Sequence, residues 1–255
     1  MKIHHIRNAT MIIETGEHVI LIDPMLGKKG TAGPPFTLLR YKPRRNPIVD
    51  LPDNCQAILD RVTHCLITHK HPDHIDKAAE IFLKEKNIPI TCSVLDEALF
   101  KKKELNVVQT IDYWNRVDFL NGQIEGIPAR HGYGYVAKPM GNVMGFYLEF
   151  PNEPSVYLSS DTIYTDDVEK VLKDYKPDVS VVASGTARLD VFQPLLMRVD
   201  DILKFAKTAP GKVIANHLEA VNHCPTKRED LRAKFEKEEL SEKTFIPKDG
   251  ELLEF

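Results

Sequence analysis

The sequence has little that would tie it to a membrane, to nucleic acid or to an oxidising compartment. No run of 18 apolar residues occurs in its 255 residues, so no segment is long enough to span a bilayer as a helix. The first residues, Met1-Lys2-Ile3-His4-His5, carry no long apolar stretch, so no secretory signal is expected. Charge of neither sign dominates. The 34 Lys and Arg against 37 Asp and Glu leave a formal −3, which gives no electrostatic footprint for nucleic acid. The only cysteines, Cys55, Cys65, Cys92 and Cys224, are scattered, a pattern of free thiols in a cytoplasm rather than a disulfide scaffold. Low-complexity tracts are missing too. What remains is a cytoplasmic chain whose 42% apolar residues suffice for a core, of a length that suits one large α/β domain or two small ones.

Against this background one stretch stands out: His69-Lys70-His71-Pro72-Asp73-His74. Before it, residues 62–67 are rich in branched side chains and read as a strand. After it, Ala78, Ala79, Ile81, Phe82 and Leu83 read as the buried face of a helix ending near Lys86-Asn87. The stretch is therefore a strand-to-helix loop, where α/β folds place their active sites. In an extended segment His69 and His71 point the same way and can reach one ion. Asp73 and His74, at the turn into the helix, can serve a neighbouring one. Nitrogen and carboxylate donors without thiolate suit zinc, manganese or iron.

The rest of the chain supplies partners from strand ends. Ala9–Glu14 and His18–Ile22 read as a hairpin closed by Thr15-Gly16-Glu17; His4 and His5 are taken as strand residues. Asp23 ends the second strand, either as a turn former or as a carboxylate holding a site histidine in place. Residues 24–57, broken by glycine and proline, carry apolar anchors (Phe36, Leu38, Leu39, Tyr41) and basic Arg40, Lys42, Arg44 and Arg45. They form either a solvated loop or a wall of the substrate pocket or a subunit contact, and a homo-oligomer is one expectation. A strand over 88–92, a helix over 95–105, strands near 107–108, 116–119 and 123–128, and another over 143–150 follow. The 123–128 strand delivers His131, the distant third ligand expected for the His69/His71 ion, with Tyr133 and Tyr135 beside it. A strand over 155–160 ends at Asp161, either a bridge between two metals or a helix cap. Helices over 166–173, 198–206 and 227–235 alternate with strands over 179–183 and 212–216. Thr226 and Glu229 read as a capping box, and short strands around Asp249-Gly250 close the chain. Arg188, past the 179–183 strand, is a candidate grip for an anionic group unless it pairs with Asp190. Of His217 and His223, His217 directly follows a strand and is preferred as ligand, leaving His223 to pin the loop.

Taken together, the hexamer with His131, Asp161 and His217 resembles the metallo-β-lactamase fold superfamily. Ala9-Thr10-Met11-Ile12-Ile13-Glu14, Leu21-Ile22-Asp23-Pro24-Met25-Leu26 and His217-Leu218-Glu219-Ala220-Val221-Asn222-His223-Cys224 are similar to its broad branch of metal-dependent hydrolases. That branch includes the ascorbate-6-phosphate lactonase and relatives of the N-acylethanolamine phospholipase D. The resemblance implies one domain over residues 1–255, an α/β fold of αββα sandwich type. It implies two divalent cations, foremost Zn2+ or Mn2+: His69, His71 and His131 on one, Asp73, His74 and His217 on the other, Asp161 bridging. One departure is Arg7-Asn8, where many relatives carry Gly-His before Ala9-Thr10.

Two cations carry +4 and Asp73, Asp161 and a bridging hydroxide −3, so the residual charge favours an anionic transition state. Asp73 can also orient the nucleophile. The expected activity is hydrolysis of a small, anionic ester or lactone, gripped by Arg188 with Tyr133 and Tyr135 packing on a ring. The alternative is a small phosphodiester. A flavin-dependent oxygen reductase would need a partner domain for which no room remains.

Overall fold

A computed structural model describes all residues, Met1–Phe255. The apolar alternation in the sequence is realised as fourteen strands: β1 (Lys2–Arg7), β2 (Thr10–Thr15), β3 (His18–Ile22), β4 (His64–Ile67), β5 (Ile90–Ser93), β6 (Val107–Ile111), β7 (Arg116–Phe119), β8 (Gly122–Pro128), β9 (Met144–Glu149), β10 (Val156–Leu158), β11 (Val179–Ala183), β12 (Lys212–Asn216), β13 (Thr244–Phe245) and β14 (Glu251–Glu254). Seven helices join them: α1 (Gln56–Leu59), α2 (Lys77–Glu85), α3 (Glu97–Lys102), α4 (Ala137–Met140), α5 (Asp166–Lys170), α6 (Val199–Thr208) and α7 (Arg228–Lys237). One sheet runs β14-β1-β2-β3-β4-β5-β6, the other β13-β12-β11-β10-β9-β8-β7.

Period-two alternation gives each strand an inward and an outward face. Ile3, Met11, Ile13, Ile20, Ile22 and Leu66 of the first sheet meet Phe119, Ile124, Phe146, Leu148, Val156 and Val181 of the second in a dry layer between the sheets. Ile12, Leu21, Cys65 and Ile67 face the other way, against Ala79 and Leu83 of α2 and Phe100 of α3. Likewise Tyr157, Val182, Val213 and Ala215 cover Val168 of α5, Ile202 and Phe205 of α6 and Leu231 and Phe235 of α7. The result is the expected αββα sandwich.

Several element ends differ from the sequence reading. The N-terminal hairpin is flanked by a further strand, β1, which pairs antiparallel with both β2 and β14, so the chain's first and last strands close one sheet. The helix expected over 95–105 is six residues long, and that over 166–173 stops at Lys170 before a π-helical segment, Val171–Tyr175. Thr226 is no helix cap: α7 begins after Lys227, and the Thr226 hydroxyl bonds that of Thr186 at 2.6 Å. The side chain that caps α2 is Asp76, which accepts from Ala79 N at 2.9 Å.

Residues 24–52 are irregular yet docked on three sides. The Arg7 guanidinium, fully buried, donates to the carbonyls of Met25, Gly27 and Val49. Asn222 accepts from Phe36 N and donates to Thr37 O, and exchanges hydrogen bonds with Asn46. Asp190 accepts from the amides of Leu38, Leu39 and Arg40. The basic side chains of this loop remain exposed while its backbone is held.

A candidate dinuclear metal centre

Every candidate ligand lies on a loop at one end of the two sheets. The hexamer links β4 to α2, and its turn is drawn tight by the amides of His74 and Ile75, both donating to His71 O at 2.9 Å. Asp23, just past β3 with a left-handed φ of 45°, braces it. One carboxylate oxygen accepts from Thr68 N at 2.8 Å; the other accepts from the Thr68 hydroxyl at 2.7 Å and from His74 Nδ1 at 2.9 Å. A hydroxyl has one proton, and Thr68 gives it to Asp23, so Thr68 must accept from His69 Nδ1–H at 3.0 Å. This turns Nε2 of both histidines toward the centre; on His69 it carries the lone pair, on His74 a proton that an arriving cation would displace. His131, past β8, donates from Nδ1 to Leu195 O at 3.0 Å and is fixed likewise. His217, past β12 with φ 59°, has Nδ1 3.4 Å from Cys224 Sγ and its amide on Asn8 O. Asn8, the departure from the resemblance, donates to Asp73 O at 3.0 Å and ties β1 to the hexamer.

The ligand atoms gather in three overlapping groups, each within 4.8 Å: His69, His71, His131; His69, His74, Asp161; and Asp73, His74, His217. His69 Nε2 and His71 Nδ1 are 3.1 Å apart, close to the ~3.1–3.4 Å expected of two nitrogens about 2.1 Å from one ion. Asp161 sits between the groups. One oxygen is 3.3 Å from His74 Nε2; the other is 3.4 Å from His131 Nε2 and 3.6 Å from His217 Nε2, which lies 3.4 Å from Asp73. His74 Nε2 and Asp161 Oδ1 are buried with only each other at 3.3 Å, a contact that makes no well-formed hydrogen bond and fully satisfies neither. A divalent cation would satisfy both, and the nitrogen and carboxylate donor set fits one. Burial holds His69 well below its ordinary pKa and lowers His131 to about 4, so both are neutral, as ligands must be. Burial opposes charge at His74 too, but Asp161 and Asp23 raise it to about 10. Against the same desolvation, His217 and His74 keep Asp73 and Asp161 well below the usual carboxylate range.

Above the centre opens a cavity of about 180 Å³. His71, Asp73 and His131 form its floor, and Phe36, Met140, Leu189 and Leu195 give it apolar walls, with His223 on one side. Phe36 makes the 24–57 loop a wall of this cavity. The residues expected to grip substrate stand elsewhere. The Tyr133 hydroxyl donates to Asp201, Tyr135 is 98% exposed, and Arg188 does not line the cavity. Arg188 does not pair with Asp190, whose oxygens are taken by the 38–40 amides and the Thr37 hydroxyl. His223 bonds no ligand side chain; its carbonyl accepts from Arg188 N at 3.0 Å. Thr68, Asn8, Asp76 and Cys224 are the supporting groups that reading the sequence missed. Only Asn8 carried a signal, as a departure from the family pattern.

Residues 18–217 match the family described as the beta-lactamase superfamily domain. The UPF0173 protein YddR of Bacillus subtilis is 35% identical over 260 residues, spanning 100% of both chains. A possible metal-dependent hydrolase from Veillonella parvula superposes with a TM-score of 0.89 at 30% identity, over 99% of this chain and 98% of that one. An isothiocyanate hydrolase from Delia radicum gut bacteria gives 0.90 at 29% identity, over 100% and 99%. Nothing in these likenesses singles out an ascorbate-6-phosphate lactonase. No helix is long and apolar enough to cross a membrane. With the αββα sandwich and the histidine–aspartate centre between its sheet ends, the chain belongs to the metallo-β-lactamase superfamily, in its UPF0173-like branch of metal-dependent hydrolases.

Proposed function

We propose that the protein hydrolyses a small, neutral electrophile in the cavity above two divalent cations, Zn2+ or Mn2+. His69, His71 and His131 would hold one cation, Asp73, His74 and His217 the other, with Asp161 shared. Bound there, the cations supply water activated at neutral pH and a Lewis acid for the electrophilic end of the substrate. Asp73, on the cavity floor, orients that water by accepting its hydrogen bond. Asp23, through Thr68 and His74, keeps two imidazoles aimed inward. The observation that carries the substrate class is the wall: Phe36, Met140, Leu189 and Leu195 offer apolar surface and no cation. Such a wall suits an alkyl or aryl group better than the phosphate or carboxylate first expected. Isothiocyanates, named for the similar gut-bacterial hydrolase, are compact neutral electrophiles of this kind.

A second reading keeps the anionic ester, lactone or phosphodiester. It is favoured by one observation: Arg188, whose backbone amide donates to His223 O, has its Nε buried without a partner. A panel of aryl isothiocyanates, neutral esters, lactones and phosphodiesters, assayed with the metal restored, separates the two. The neutral reading expects kcat/KM at least about tenfold higher on the uncharged compounds, with Arg188→Ala changing neither class. A preference for the charged compounds that Arg188→Ala removes would install the second reading instead.

A further inference from the structure

His223 is the one polar side chain lining the cavity with neither a ligand geometry nor a hydrogen bond to the rest of the chain. It is buried, lines the cavity with His71, Asp73 and His131, packs edge-on against Phe36 at 5.0 Å between ring centres, and stands 6.4 Å from the ring of His217. Neither ring nitrogen bonds another group of the chain, and Nδ1 is sealed from solvent. The two tautomers are therefore unequal. A sealed, unpaired N–H is a rarer orphan in proteins than an under-used acceptor. The proton is better placed on Nε2, which makes the open end of the ring a hydrogen-bond donor aimed into the cavity. The neighbouring residue fixes this aim: Asn222 is held by Phe36, Asn46 and Thr37.

From this geometry we infer that His223 is a catalytic residue, a neutral donor whose Nε2–H stabilises charge developing on the substrate heteroatom. The inference rests on the hydrolytic reading above. In the addition step the water oxygen bonds to the electrophilic carbon and its proton is released to solvent. The π pair of the carbon–heteroatom bond moves onto the heteroatom. The His223 hydrogen bond meets that new charge, and the imidazole keeps its proton throughout. The donor thus acts beside the candidate ligands without being one of them, and it is aligned before the charge appears, which is what makes such donors effective.

The test uses the full chain reconstituted with Zn2+, with His223→Ala, His223→Phe and His223→Gln beside wild type. Glutamine can present an amide N–H near the place of Nε2–H. His223→Ala and His223→Phe should lower kcat about 100-fold or more on the best substrate of the panel, with KM within about threefold and zinc content unchanged. His223→Gln should recover at least about tenfold of that loss. Long-range 15N correlation spectra of the zinc-loaded wild type should show His223 as the Nε2–H tautomer, its cross-peak assigned by its absence in His223→Gln. An alanine variant as fast as wild type, a glutamine no better than alanine, or an Nδ1–H tautomer each overturns the donor role and leaves the hydrolase reading intact. Wild type inactive on every compound of the panel overturns both.

Discussion

The first sheet runs through three antiparallel pairings, from β14 to β3, and then three parallel ones, to β6; the second repeats this order from β7 to β13. Corresponding loops can therefore be set side by side. After β3 and β10 stand Asp23 and Asp161, each at a left-handed kink, with φ 45° at Asp23 and 58° at Ser160. After β4 comes the hexamer; after β11, a loop with Arg188 and no candidate ligand. After β1 stands Asn8; after β8, His131. The first half concentrates its ligands in one loop and spends its aspartate on bracing them. The second half distributes one ligand to each of three strand ends and sets its aspartate in the middle. A shared frame thus offers the same positions twice, and what they do depends on whether the side chain reaches the centre or stops one bond short.

The two aspartates give the largest test of this difference. Asp161→Asn removes a charge between the groups that would hold both ions, so kcat/KM should fall about 10³-fold or more and metal content should drop below two per chain. Asp23→Asn leaves every ligand in place but loosens His74 and His69, for which about 10–100-fold is expected, with two ions retained at saturating metal. Turnover and elemental analysis of both variants decide it. Equal losses in the two would erase the distinction between the inner and the bracing aspartate.

A second test separates the all-histidine group from the mixed one. His69, His71 and His131 are kept neutral by burial, so an ion arriving there expels no proton at pH 7. His74 is raised to about 10, and His217, despite its burial, is raised too by Asp161. Both must shed a proton before they can ligate. Affinity at the mixed group should therefore fall as pH falls, by up to about a hundredfold per unit for two protons, while the trio changes little. Calorimetric zinc titration should give two ions at pH 8 and move toward one at pH 6, with buffer-dependent heat only for the second. Parallel weakening of both sites would break the assignment.

The same contrast explains what the sequence disclosed. The hexamer is legible because its four ligands are neighbours in the chain, and spacing alone says which way they point. His131, Asp161 and His217 are solitary at strand ends; their position past a strand puts His131 and His217 forward once the hexamer is in hand, while for Asp161 a helix cap is an equal reading and only the family resemblance makes it a bridge. Strand faces were legible because alternation is local. The pairing of β1 with β14 was not, since nothing in either stretch specifies a partner some 250 residues away. The 24–57 loop escaped because its order comes from Arg7, Asn222 and Asp190, which lie outside it. For the substrate grip, the side chains chosen for their chemistry, Arg188, Tyr133 and Tyr135, lie on loops whose course follows packing that the sequence does not show.

The smallest effect concerns a pair of core positions. His64 opens β4 and Val179 opens β11, at equivalent registers opposite Ile20 and Val156. Val179 is an ordinary member of the layer between the sheets. His64 packs edge-on against Phe119 of that layer, with Nε2 2.9 Å from the Thr91 hydroxyl and no acidic partner. Burial lowers its pKa to about 4, against an ordinary 6.5. Between those values the unfolded chain takes up a proton that the folded chain refuses, so His64 costs stability as pH falls. Linkage puts the loss near zero at pH 7 and at about 2 kcal/mol at pH 5. His64→Val, which copies the second half into the first, should forfeit the Thr91 hydrogen bond at pH 7, about 1 kcal/mol. It should then gain on wild type by about 2 kcal/mol as pH is taken to 5. Urea unfolding of both proteins at the two pH values reads the change in their difference, in which every other titrating group cancels. A difference that stays constant with pH would mean that His64 is protonated in the folded protein, and that the two sheets differ at this position in size alone.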